Sequence, residues 1–305
     1  MDASLFGSSV LAVASGVSFS LMGVAYKIGQ PRRLEATDIA GVAMTLAAMA
    51  FTLLALLAGS GWPPPRVWAL GTLAGVTQYA TLRLVQVALR LGPLPALWCA
   101  VSLSFVPAVP YAAKVFGERP GPFQIVAVLV AMACVFAASR CAGDAGPAEP
   151  GAGSVQRRRL TYLLVLVAIV AINGISGICI TDMSLRLARE RATYRDLFGH
   201  AYNAIFYTSL AVPILLDLAL RKRLRLTPPL FGLGVLHAFG SGMGIVTVAL
   251  ASQLGGSIAW AICGACGILT TALVGTLAFG ERRTRAWYAT CALGILAVAL
   301  AQIKT

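Results

Sequence analysis

The tetrad FGER occurs twice, in KVFGERPGPF (114–123) and in LAFGERRTRAW (277–287). Each copy separates two long apolar runs, one pair ending near Ser139 and the other near Gln302. A glycine followed by two charges between apolar runs reads as a hairpin corner: the glycine closes one helix, and the glutamate (Glu118, Glu281) opens the next, where a carboxylate suits the free amides. Aligned without gaps on the two tetrads, Gly92 meets Gly255, Ala96 meets Ala259, and Val135 and Ala138 meet Val298 and Ala301. Further upstream SGVSFS (15–20) echoes NGISGI (173–178). The recurring corner marks a duplicated unit.

Counting outward from it gives ten apolar runs, at 8–28, 39–58, 68–89, 95–116, 123–139, 160–183, 197–218, 230–250, 257–279 and 286–302. About 20 residues of helix cross a hydrocarbon layer of about 30 Å. Over the 305 residues 58% are hydrophobic and 11% charged, with a mean hydropathy of +0.82. Soluble domains carry about 25% charged residues, so a water-facing surface of ordinary size is excluded. The expected fold is therefore an all-α integral membrane protein of ten transmembrane helices, arranged as two five-helix inverted repeats. The repeats are 1–140 and 160–305, joined by a Gly/Ala/Pro-rich linker at 141–159. Five is odd, so the second unit enters the membrane facing the opposite way, the arrangement of secondary transporters with a solute site near the midplane.

The net charge of +13 falls on short loops and reads as topology and lipid-headgroup contact rather than nucleic-acid binding. Fifteen Lys and Arg fall on one side by alternate loops and eight on the other, which places both termini outside. Seven cysteines, mostly inside runs, read as small core residues, including the CxxC of Cys263 and Cys266.

Ten spans in two halves, with FGER followed by a closing helix that carries Ala131 or Gly294, resemble the EamA-like drug/metabolite transporter superfamily. The resemblance covers nearly the whole chain and is strongest at 88–139 and 251–302. It implies that the first, third and fourth helices of each half line a central cavity, that the fifth helices lie outside at a dimer contact, and that both termini face the cytoplasm. That last implication opposes the charge count. The chain departs from many relatives in its first helix (ASGVSFS) and in the loop GSGWPPPR.

Arg83 is the sharpest site candidate, because an intramembrane cation needs a partner or a wet cavity. Tyr79, Arg83, Gln86 and Arg90 share one helical face. A guanidinium fork in the cavity would favour an anionic or zwitterionic metabolite; the alternative is a structural pair with Asp182 or a snorkelling side chain. Trp98, Asn173, Asn203, His237 and Trp260 complete the expected solute-binding set, each with a bland reading as packing, interhelical glue or headgroup belt. The glycines of GLGVLHAFGSGMG (232–244) lack a preceding strand, so Gly240 and Gly244 read as close packing and not as a phosphate loop. With no ATP-binding motif and no HExxH, the expected function is secondary transport of a small organic solute by alternating access in the plasma or bacterial inner membrane. No cofactor and no enzymatic chemistry are expected. A lipid-linked flippase, a membrane-embedded enzyme and a scaffold are the rivals.

Overall fold

The computed structural model describes residues 3–59, 62–92, 94–103, 107, 111, 114–115, 121–140, 152–189, 199–223, 225–255, 258–280, 284–300 and 303. Phe116–Arg119 and Glu281–Arg282, and with them both FGER glutamates, lie outside these residues. Gly280 is described, and its φ of 62° is the left-handed conformation expected where a helix stops at a glycine.

The described residues contain no strand and ten α-helices of nine residues or more; Tyr111, Lys114 and Val115 are helical as well, so the run expected over 95–116 is interrupted after Ser102, with a turn at Pro107. They are α1 (Ala3–Gly29), α2 (Ala36–Leu57), α3 (Pro65–Leu91), α4 (Leu94–Ser102), α5 (Pro122–Ser139), α6 (Ala152–Arg189), α7 (Gly199–Leu220), α8 (Pro228–Gly255), α9 (Ile258–Leu277) and α10 (Arg285–Leu300). Local chemistry sets several boundaries. Proline, which lacks an amide proton and is pre-set in φ, opens α3, α5 and α8. Glu35 and Asp38 form a capping box at the start of α2, with the Glu35 amide donating to Asp38 Oδ2 at 2.7 Å. The Thr284 hydroxyl accepts from the Trp287 amide at 3.2 Å and caps α10. α6 begins at Ala152, inside the segment expected to be linker: Ala-Gly-Ser-Val-Gln-Arg-Arg-Arg (152–159) has no proline and continues the helix outward.

Five helices, α1, α2, α6, α7 and α8, are long and apolar enough to cross a membrane, by length and composition. α3 is as long, yet its Arg66, Arg83 and Arg90 dilute its apolar character. The apolar stretches 125–138 and 262–277 of α5 and α9 are shorter. Large apolar side chains face outward on these helices, among them Met49, Leu53, Leu56 and Leu57 on α2 and Leu216 and Leu220 on α7. Exposed apolar area on this scale marks a surface made to meet lipid or another apolar partner.

The packing obeys a simple exchange. α1 packs on α8 as α6 packs on α3, and α2 on α8 as α7 on α3; α2·α7, α5·α10 and α4·α9 are pairs that map onto themselves under a shift of five helices. Of the partners under this shift, α2 and α7 run in opposite directions, Gly41 against Leu218 and Phe51 against Tyr207. α1 is antiparallel to α8 (Tyr26 against His237, Ser15 against Gly244), and α3 is antiparallel to α6 (Gly92 against Tyr162, Arg66 against Asp182). α3 and α7 run parallel, Gly71 and Gly75 meeting residues 202–210 and Arg83 meeting Asp217.

These contacts are close because small residues form them. A Cβ at Gly16 would overlap the Cys263 carbonyl oxygen on α9, and one at Gly240 would stand 2.6 Å from the Ser18 carbonyl oxygen on α1. Gly240 and Gly244 are thus packing glycines, as their spacing suggests. Ser15 Oγ donates to the Gly244 carbonyl at 2.7 Å, and Ser20 Oγ to the Gly16 and Gly267 carbonyls at 2.8 and 3.3 Å. Replacing Gly16 by Val forces α1 off α9. The expected loss is about 1–3 kcal/mol, seen as a lower thermal midpoint in detergent, whereas Gly232→Val, at a glycine with no neighbour within 4 Å, leaves the midpoint nearly unchanged.

Candidate functional site

Where α1, α3, α4, α6, α8 and α9 converge, with α2 and α7 behind, the helices leave a cavity of ≈ 180 Å³. Three helices contribute aromatic rings, Phe19 and Tyr26 from α1, Trp98 from α4 and Phe206 from α7. Gln78, Thr81, Ser102, Asn173, Ser176 and Ser241 supply the polar wall. Among the described lining residues none is Asp, Glu, Lys or Arg.

Many of the polar groups are already engaged. His237 Nε2 lies 2.7 Å from Tyr26 Oη, with the rings 4.9 Å apart, and the His237 ring is fully buried. Tyr207 Oη pairs with Ser241 Oγ at 2.8 Å, and Thr81 Oγ1 donates to the Thr77 carbonyl at 3.1 Å. Cys263 Sγ, on the cavity wall, lies 3.3 Å from Ser15 Oγ. Gln78 and Asn173 keep hydrogen-bonding capacity for a guest: both are half-buried, Gln78 bonds no described residue, and Asn173 uses only its amide nitrogen, on the Val101 carbonyl at 3.2 Å.

Of the residues expected to bind solute, the structure brings Trp98, Asn173 and His237 to this cavity. Arg83 lies outside it. Its Nη1 donates to Asp217 Oδ2 on α7 at 3.0 Å, and Asp217 also accepts from Arg221 at 2.8 Å. The structural partner is thus Asp217; Asp182, the partner considered from sequence, is taken by Arg66 at 3.1 Å and by the Tyr111 hydroxyl at 2.9 Å. Gln86 is turned away as well, donating to Glu35 Oε2. Tyr79 packs against the core and Asn203 is buried in α7, neither lining the cavity; the Trp260 side chain lies outside the described residues. The face of α3 that looks inward is Gln78, Thr81, Leu82 and Val85, next to the face carrying Arg83. Gln78 was not among the residues expected from sequence, since it lies on the face next to the one that Arg83 marks by its depth. The available signal was a carboxamide in mid-run with no charge beside it.

Ionic clusters flank the cavity at both ends. One turn beyond Val85, Arg223 forks between Glu35 Oε1 and Asp38 Oδ2, both at 2.7 Å, and Arg90 reaches Glu35 at 3.1 Å. Beyond Ile180 at the other end lies Asp182, fully buried, with Arg66 and Tyr111. Burial alone would raise the Glu35 carboxyl, but bonds from Arg223 and Gln86 and the charges of Arg223 and Arg90 outweigh it and hold Glu35 below the usual carboxylate range. Among the described residues no group of three or more His, Cys, Asp or Glu converges in metal-binding geometry.

No protein-family model matches the chain, and no curated protein matches it. Its fold does have solved counterparts. One, described only as "Crystal structure of protein", has a TM-score of 0.65 at 17% identity, over 97% of this chain and 95% of that one.

The depressed Glu35 carboxyl has a definite pH signature. Its contribution is complete above the unfolded-state value of about 4.3 and is lost as pH falls through the lower folded-state value. The thermal midpoint of the detergent-solubilised protein is therefore expected to fall more steeply below about pH 4.3 in wild type than in Glu35→Gln. Parallel curves would remove Glu35 from the stabilising network.

Proposed function

We propose that the chain is a secondary transporter, moving a small uncharged organic solute through the membrane by alternating access between its two five-helix halves. On this reading all ten helices belong to the membrane domain, the halves 1–140 and 160–305 form an inverted-topology repeat, and the protein works in the plasma or bacterial inner membrane without a cofactor. The resemblance to EamA-like transporters in the FGER corners points the same way. So do the packing pairs that return when each helix is exchanged for the one five along, and the antiparallel run of the partners α2 and α7.

The observation that carries the reading is the position of the cavity. It is walled by both halves, and cross-half ion pairs stand at its two ends: Arg223 with Glu35 and Asp38 at one, Arg66 with Asp182 at the other. Alternating access needs such a site between two closures that open in turn. The solute class follows from the lining. A charge entering a site with no counter-charge carries its full desolvation cost, so an uncharged guest is favoured. The expected preference for an anionic or zwitterionic solute rested chiefly on Arg83, whose guanidinium is held by Asp217 away from the site. A volume of ≈ 180 Å³ is slightly more than the roughly 150 Å³ that accepts a benzene molecule, which sets the guest at about one ring with a few substituents.

Cys263 on the cavity wall provides the test. In a variant whose other six cysteines are alanine, a cysteine pair at 35 and 223, or at 66 and 182, is bridged in sealed vesicles with a short bis-methanethiosulfonate linker, each cysteine thiolate displacing a sulfinate. A membrane-impermeant maleimide then reports which face reaches Cys263. The two bridges are expected to give opposite sidedness, each leaving Cys263 open only to the far face. Labelling from one and the same face in both, or from neither, would sink the alternating-access reading.

A further inference from the structure

Gln78 and Asn173 occupy matched places on an antiparallel pair. α3 and α6 are pinned at one end by Arg66 and Asp182 and at the other by Gly92 against Tyr162. Gln78 and Asn173 both fall midway between these pins and both line the cavity. One comes from each half of the chain.

Their hydrogen-bonding states are complementary. The Asn173 amide nitrogen is committed to the Val101 carbonyl, which leaves its Oδ1 as an acceptor facing other partners. The Gln78 amide bonds no described residue and keeps both a donor and an acceptor. A guest that gives an N–H to Asn173 Oδ1 and takes an N–H from Gln78 Nε2 satisfies both at once. Neutral carboxamides of this kind recognise the adjacent donor and acceptor on the edge of a heterocycle, as Asn and Gln do on adenine.

The third element is Trp98. It is fixed between helices that present glycine to it: a Cβ at Gly23 of α1 would lie 3.2 Å from the indole, and one at Gly267 of α9 3.8 Å. A large ring so held, on a wall shared with Phe19 and Phe206, offers a flat guest an aromatic surface.

We propose that Gln78 and Asn173 form a carboxamide pair that selects a planar, uncharged nitrogen heterocycle with neighbouring N–H and C=O groups, packed against Trp98. The proposal rests on the cavity being the solute site of the transporter. It deepens that reading by naming the solute's chemistry: a lactam-type ring of nucleobase size, for which about 180 Å³ is ample.

The probes are uracil, which carries this edge, and 1,3-dimethyluracil, whose methyl groups remove both N–H donors and keep the ring and carbonyls. Binding of each to the full chain in detergent is measured by titration calorimetry for wild type, Gln78→Met and Asn173→Leu. Wild type is expected to prefer uracil by about tenfold or more, the scale of one bidentate carboxamide contact. Asn173→Leu, which removes the acceptor of the guest N–H, is expected to lose most of that preference while binding 1,3-dimethyluracil as wild type does, which also shows that its site is folded. Gln78→Met, which removes the donor to a carbonyl that both probes carry, is expected to weaken both probes severalfold. No uracil binding, equal affinity for the two probes in wild type, a preference that survives Asn173→Leu, or unchanged affinity for both probes in Gln78→Met would overturn the proposal. The two readings fail separately. Opposite Cys263 sidedness without a uracil preference removes only the carboxamide assignment. A uracil preference without alternating sidedness leaves a binding site and removes transport.

Discussion

A carboxylate taken out of water must find a cation, and this requirement organises the rest of the molecule. Asp182 is fully buried and meets Arg66; Asp217 meets Arg83; Asp38 and Glu35 share Arg223. In each of these four contacts the cation and the carboxylate come from different halves of the chain. Two further pairs, Arg90 with Glu35 and Arg221 with Asp217, join residues of the same half and complete the clusters. The charged groups near the helix ends are thereby matched with one another, and the middle of the bundle is left to neutral side chains.

That neutral middle is shaped by two kinds of contact. Glycine and serine bring α1 to backbone distance from α8 and α9, with serine hydroxyls bonded to carbonyls of the facing helix. Such contacts suit an environment in which apolar burial gives helices little reason to associate. Where bulkier residues intervene, at Phe19, Met22, Trp98 and Phe206, the backbones stay apart and the cavity opens. The same helix therefore seals one face by smallness and lines a chamber with its aromatic residues. Tyr26 and His237 bond each other within the wall, so His237 lines the chamber with this partner already engaged and its ring fully buried.

Much of this was legible in the chain. Apolar run length located most of the helices to within a few residues, because a run long enough to span is set by a thickness that does not depend on detailed packing; the fourth run, expected over 95–116, is helix from Leu94 only to Ser102, with a turn at Pro107. The exceptions have physical causes. α3 is diluted by three arginines, and α6 extends to Ala152 because residues 152–159 form helix outside the apolar run as readily as within it. Gly240 and Gly244 were legible as packing glycines from spacing alone. The site was legible only in part. Arg83 stood out by depth, but depth does not name a partner: Asp217 is 134 residues away in sequence and meets it only because α3 and α7 run parallel in contact. Gln78 lies five positions earlier on the same helix, and a rotation of one face separates a structural ion pair from a cavity wall. Hydropathy fixes how long a helix is far more firmly than which way it is turned.

The cross-half ion pairs also bear on how such a chain can change over generations. If the two halves arose from one ancestral unit, they would be expected to drift apart freely once fused. Positions 66 and 182, 83 and 217, and 35, 38 and 223 do not have that freedom. Loss of Arg66 takes a cation from the fully buried Asp182, so a change tolerated there is expected to be answered in the other half, whereas Asp217 and Glu35 keep Arg221 and Arg90 and are more forgiving. A half transplanted from a distant relative is expected to arrive with the wrong complement of charge.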